Sequence, residues 1–219
     1  MRRAATGLLV LVVLIMAGPA SASAPVPSSL KALESSAEDL VDEALAGHRG
    51  GVITTASELS TLANGPAAAS LLRAGAPPAT VQRLKQRAAV VHRLAANGAF
   101  VRVALAANAV SGLMPSLYAR FRDRVPPSVL TLDYLDREAQ LRSLVGERKN
   151  VAHAVVELVS TWRPLRAKVI AAGGRTQAAA YDKHVATMKR VVEGSLKRVR
   201  DEAVHGLALV DELEAVFTR

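Results

Sequence analysis

Apolar residues recur at steps of three and four over most of the chain, and no stretch alternates with a period of two for long. This pattern predicts helices throughout. The clearest stripe is Val151, Val155, Leu158, Trp162, Leu165 and Val169. Traced backward it meets Arg148, Leu144, Leu141, Arg137, Tyr134 and Leu130, so one helix is expected over residues 128–172. A second stripe runs from Tyr181, Val185, Met188 and Val192 through Leu196, Val199, Ala203, Gly206, Val210, Leu213 and Phe217, and predicts a helix over 176–217. Leu30, Ala37, Val41, Leu45, His48, Val52, Ala56 and Leu59 place another over 28–63, unless Gly50-Gly51 breaks it. Val81, Leu84, Ala88, Val91 and Ala95 open a fourth at residue 78, which continues to Leu113 and towards Arg122.

Proline and glycine mark the limits. Pro27, Pro77-Pro78 and Pro126-Pro127 each precede a periodic run, as expected when proline sits at or just before a first helical turn. Asn64-Gly65-Pro66 and Gly173-Gly174 close runs, residues 67–74 suit a short linking helix, and Pro115 and Pro164 should kink or interrupt the helices that contain them. Four segments of roughly 36 to 45 residues would make rods about 55 to 65 Å long. Their short connections force antiparallel neighbours, so the expected fold is all-α: an antiparallel up-down-up-down four-helix bundle of long helices, forming one domain over 28–219. A coiled-coil hairpin that pairs into a homodimer fits the same stripes.

The start of the chain reads differently. Met1-Arg2-Arg3 is a short positive stretch, Gly7 to Ala17 is apolar, Gly18-Pro19 breaks the run and Ala20-Ser21-Ala22 ends it. This is the layout of a secretory signal peptide over 1–22, cleaved before Ser23, with 23–27 as a linker. The apolar run is too short for a bilayer span, which needs about 20 apolar residues. The protein is therefore expected to be exported, periplasmic or extracellular, with no transmembrane span after cleavage. With no cysteine in the chain, neither a disulfide nor a lipid-modified N-terminal cysteine is available.

Charge is unevenly spread. The formal net charge is +9, yet residues 25–63 carry two basic and six acidic side chains, whereas 64–127 carry nine basic ones and the single acid Asp123. Either adjacent helices have complementary faces, or Arg83, Lys85, Arg87 and Arg93 form a surface that meets an anionic envelope or an acidic protein partner. Only seven residues are aromatic, which argues against stacking on bases or sugars and against nucleic acid as a partner.

Candidate chemistry is sparse. In the four-rod reading each helix midpoint carries glycine: Gly47, Gly50 and Gly51, then Gly98, Gly146 and Gly194. There His48, Arg102 and Arg148 would converge as a ligand-binding layer, or simply reach solvent. His184-x-x-x-Met188 places two donors on one helical face, and with His48 they could hold a metal or haem iron. Glu202-x-x-His205 has di-iron spacing but sits off the apolar stripe and reads as a surface pair. His153 and Glu157 read as an exposed pair one turn apart. No zinc-protease, nucleophile-elbow, phosphate-loop or haem-attachment motif is present. Neither catalysis nor a cofactor is expected. The sequence thus points to a non-enzymatic exported binder of a partner or anionic envelope surface, with a ligand, metal or haem carrier as the alternative.

Overall fold

The computed structural model describes residues 24–219, so the leader and its cleavage site lie outside the described residues. These residues are all-helical, with ten helices: α1 (Ser28–Ala46), α2 (Arg49–Asn64), α3 (Pro66–Arg73), α4 (Pro78–Ala96), α5 (Phe100–Ser111), α6 (Met114–Tyr118), α7 (Pro127–Leu144), α8 (Arg148–Ala171), α9 (Arg175–Val191) and α10 (Leu196–Thr218). The expected four rods are each interrupted. The 28–63 segment breaks at Gly47-His48, the 78–122 segment around Gly98 and again at Gly112-Leu113, the 128–172 segment at Gly146 and the 176–217 segment over 192–195.

Three of these interruptions share one device. Gly47, Gly98 and Gly146 have φ of 73°, 66° and 77°. Each glycine N–H donates back three residues, and the next N–H donates back five: His48 to Glu43, Ala99 to Leu94 and Glu147 to Arg142. This is the glycine-terminated helix end, in which the left-handed residue lets two following amides satisfy carbonyls that would otherwise be left without partners. Gly75 and Gly173 do the same after α3 and α8. The turns at Gly47 and Gly146 thus double the chain back where the stripes alone suggested continuity. Gly50-Gly51 lies inside the first turn of α2, Pro115 opens α6, and Pro164 sits within an unbroken α8.

Doubling back produces two rings of four helices. In the first, α1 packs on α2, α2 on α4, α4 on α5 and α5 back on α1, with α3 closing one side. In the second, α7 packs on α8, α8 on α9, α9 on α10 and α10 back on α7. Each ring has its own apolar core. The window Phe100–Tyr118 is long and apolar enough to cross a membrane, but half of it is buried inside the protein.

Helix α7 joins the rings. It also packs on α5 and α6, and its Leu141 belongs to the first core while Val129, Leu132, Leu135 and Ala139 belong to the second. A Cβ at Gly112 would lie 2.9 Å from the Tyr134 ring, so α5 and α7 approach where no side chain could fit. Asn108 on α5 donates to the Tyr134 carbonyl and, at 2.9 Å, to Glu138 on α7. Of the first strongly polar positions on α7, Asp136 is buried against α9 and α10 of the second ring, whereas Asp133 and Arg137 line a cleft with α1 and α10. Of the stripe through Leu130, Tyr134 and Leu141, Leu141 lies in the first core and Leu130 packs against it, whereas Tyr134 touches Gly112 and packs against the second core.

Gly146 has open space where a Cβ would go, so Gly146→Ala tests the backbone alone. Alanine in the left-handed region costs about 1–2 kcal/mol, and the expected outcome is a lower unfolding midpoint with unchanged helix content. An undiminished midpoint by denaturant titration would show that the turn does not depend on glycine.

Candidate functional site

The residues proposed for a central layer do not converge. His48 lies in the α1–α2 turn with its side chain 68% exposed, its Nδ1 3.0 Å from Glu43. Arg102 is exposed near the start of α5. Arg148 opens α8 and donates to the Gly194 carbonyl at 2.8 Å, tying the α7–α8 turn to the α9–α10 turn. The physical reason is that Gly47, Gly98 and Gly146 are turns, so their level is an end of a ring rather than its middle. The metal grouping separates too. His184 and Met188 are buried on one face of α9, but His48 belongs to the other ring, and among the described residues no three His, Asp or Glu side chains are placed to hold a metal ion.

His184 has other partners. Its Nε2 lies 2.9 Å from Asp136 on α7 and its Nδ1 2.9 Å from Glu202 on α10, while Tyr181 on α9 donates to the second Asp136 oxygen at 2.9 Å. Glu202, expected at the surface, thus reaches a buried imidazole. Asp136, Tyr181 and His184 are almost completely buried. Two ring nitrogens facing two carboxylates need a proton at each contact, and an imidazolium can supply both. Burial works against that charge, but the hydrogen bonds and charges of Asp136 and Glu202 outweigh it and hold the His184 pKa above its ordinary value. A Cβ at Gly206 would lie 2.6 Å from His184 Cε1, so glycine is what lets α10 come this close. Beside the cluster, Trp162 and Arg166 of α8 both donate to Asp182 of α9 at 2.8 Å. His184 is buried with both ring nitrogens paired, and the cluster reads as a satisfied lock between helices.

An unsatisfied cluster lies where the rings meet. A cleft of about 290 Å³ runs between α1, α7 and α10, at the small end of the roughly 300–1,000 Å³ usual for ligand pockets. Glu34 and Glu38 enter it from α1, Asp133 and Arg137 from α7, and Asp211 and Glu214 from α10, with Lys31, Tyr118 and Asp123 around them. Each helix therefore contributes a pair of positions three or four apart, which share a face. Arg137 is engaged by Asp133 and Asp42, both at 3.5 Å. No cation pairs with Glu38, Asp211 or Glu214 among the described residues, and Glu34 accepts from the Tyr118 hydroxyl.

The electrostatic result is a strained group of acids. Burial raises the Glu34 pKa to about 7, with the charges of Asp133 and Asp123 adding to it. Glu38 is pushed to about 8 by burial and then by Asp133 and Glu34. Glu214 rises to about 7 through burial, Glu34 and Asp133. Beneath the cleft is a recess of about 10 Å³ lined by Glu34, Glu38, Ser111, Met114, Leu130 and Asp133. Ser111 is only 5% exposed, and its Oγ has no hydrogen-bond partner. Arg137, 8% exposed, leaves its Nε unpaired as well. Orphaned buried polar atoms are uncommon, and each implies a missing partner or strain.

No family model, curated protein or solved structure matches the chain. The site therefore rests on its own geometry.

The basic residues of α4 stand apart from the cleft. Arg83 and Arg93 are exposed, Lys85 and Arg87 are half-buried, and Arg87 donates to the Ala109 carbonyl across the α4–α5 groove. None of the four pairs with a carboxylate among the described residues. His92 is exposed, and His153 and Glu157 form the expected surface pair at 3.2 Å.

Two outcomes follow. His184→Gln leaves Asp136 buried without its charged partner and should cost about 3–5 kcal/mol, read from denaturant unfolding; a loss below about 1 kcal/mol would be the ordinary effect of a single hydrogen bond. For the cleft, between the ordinary Glu value of 4.5 and the raised values near 7 and 8, the folded chain holds protons that the unfolded chain has released. These groups therefore lower stability as pH rises through that window. Glu38→Gln, which mimics the protonated acid, should become stabilising relative to the parent at pH 8 and nearly neutral at pH 5. An equal effect at both pH values would mean that Glu38 titrates normally.

Proposed function

We propose that this protein is a non-enzymatic binder of a small organic cation, held in the cleft between the two helical rings. The observation that carries the reading is the convergence of carboxylates from α1, α7 and α10 on one concavity that supplies them with too few cations, above a buried Ser111 hydroxyl that lacks a partner. A cation arriving there would replace the protons that Glu34, Glu38 and Glu214 otherwise retain. It would also link α1 of one ring to α10 of the other. The spread of acceptors over three helices suits an extended organic ion better than a point charge. This keeps the carrier alternative raised by the sequence but moves it from the turn residues His48, Arg102 and Arg148 to the acids of the junction. On the sequence expectation of a cleaved leader, it works outside the cytoplasm.

Calorimetric titration of the mature chain with small amines at pH 7 tests this. Binding should release protons, seen as a heat that varies with the ionisation enthalpy of the buffer, and Glu38→Gln with Glu214→Gln should abolish it. Ligand at 100 times its Kd should stabilise the fold by about 2.7 kcal/mol. A chain that binds no amine, with an unmoved melting curve, would overturn the reading.

A second reading, contact with an anionic envelope surface, is favoured by one observation: Arg83, Lys85 and Arg93 have no carboxylate partner among the described residues. Replacing Arg83, Lys85, Arg87 and Arg93 with Gln should weaken attachment to anionic vesicles and flatten its salt dependence without lowering the melting temperature. Unchanged attachment would remove this reading.

A further inference from the structure

Resting on the reading of the cleft as an organic-cation site, we infer that its ligand is a linear diamine with primary ammonium ends, one seated in the recess at Ser111 and the other at the α10 acids. Three features of the cleft combine to select that chemistry.

The recess sets the size of the first group. At about 10 Å³ it holds about one water-sized sphere. A primary ammonium is that compact and carries three donors. Its acceptors are in place: Glu34 and Glu38 one turn apart on α1, Asp133 on α7, and the Ser111 Oγ on α5. A quaternary ammonium offers no donor and is larger than the recess, and a guanidinium is a planar fork too broad for it. The orphaned hydroxyl is the observation independent of the acids: Ser111 Oγ is buried, lines the recess and has no hydrogen-bond partner among the described residues.

Apolar walls set the middle. Leu130 lines both the recess and the cleft above it, and Val125 lines the cleft. Methylene groups packed there lose contact with water, which favours a hydrocarbon chain along this part of the cleft. A metal ion or a single ammonium would leave that surface uncovered.

A second set of acids fixes the far end. Asp211 and Glu214 share a face of α10, with Asp123 nearby, and none has a cation partner among the described residues. Asp211 and Asp123 are exposed, so the outer ammonium would remain partly hydrated and contribute less than the inner one. Ligands of different length are then tolerated at the mouth, while the inner end is selected strictly.

The test is a titration series on the mature chain at pH 7 and moderate salt: 1,4-diaminobutane and 1,5-diaminopentane, butylamine, a bis-trimethylammonium alkane of similar length, and calcium chloride. The inference expects one of the diamines to bind at least tenfold more tightly than butylamine, with no competition from the bis-quaternary ion or calcium at equal concentration. Ser111→Ala should weaken diamine and butylamine by the same factor, whereas Glu214→Gln should weaken the diamine alone; both variants are checked by their melting curves. Butylamine as tight as the diamines, or the bis-quaternary ion as tight, would overturn the diamine assignment while leaving an organic-cation site standing. Calcium binding without amine binding would overturn both. Binding of nothing in the series would sink the cation reading of the cleft itself.

Discussion

A helix that ends inside a protein must find partners for its last carbonyls, and at five points this chain meets that requirement with a glycine at positive φ. The consequence reaches well beyond the turns. Were Gly47, Gly98 and Gly146 able to continue the helix, the apolar stripes on either side would be read by one set of neighbours, and four long rods would share one core. Because the backbone reverses instead, each stripe is folded against its own continuation. Two rings result, and each closes because its first helix returns to its last. A core built largely from Ala, Leu and Val suits this arrangement, since small side chains allow close helix approach over short helices.

Two rings need a joint, and α7 supplies it by being buried on two faces at once. A helix so placed has no single apolar stripe, and its polar residues cannot all reach water. Asp136 is resolved by the second ring: His184, Tyr181 and, through His184, Glu202 surround it with hydrogen bonds from α9 and α10. Removing any one of these partners exposes the rest to the cost of burial, so the cluster fixes the rotation of α7 within its ring. Arg137, one residue on, faces the other way. It is shared between Asp133 and Asp42, and its long contacts and unpaired Nε show a less complete solution. The lock on one side of α7 thus sets the geometry of the cleft on the other.

Helical content and several limits were legible in the sequence because three- and four-residue periodicity reports burial directly, and because Pro27, Pro77-Pro78 and Pro126-Pro127 precede helices as expected. The rings were not legible. A single glycine such as Gly146 scores in a stripe as a tolerable interruption, and only its φ shows that the chain turns. In the sequence Gly47 and Gly98 read as the midpoints of straight rods, and nothing in the periodicity shows that the chain turns there. His48, Arg102 and Arg148 lie apart for the same reason: a register of straight rods aligns them, and the turns separate them. Glu34 and Glu38 carried a signal that could have been used, since they stand four apart beside the buried Leu33 and Ala37. Asp136 carried less, because buried polar groups on a doubly packed helix look like breaks in a stripe.

The two polar clusters differ in a way that bears on function. Around His184 both ring nitrogens and both Asp136 oxygens have hydrogen-bond partners at 2.9 Å, and the network contributes to holding one ring together. In the cleft the acids outnumber their partners, raise one another's affinity for protons and lie over an unpaired serine hydroxyl. Nothing in the packing of α1, α7 or α10 requires carboxylates there; leucine or alanine at Glu38 and Glu214 would extend the apolar faces on which these helices already rest. A chain with an excess of basic residues had cations to place opposite them, and instead leaves those of α4 unpaired on the far side of the first ring. Local violations of otherwise consistent design mark functional positions more often than structural ones. On that argument the junction cleft, rather than the buried histidine cluster, is where a ligand supplies what the fold withholds.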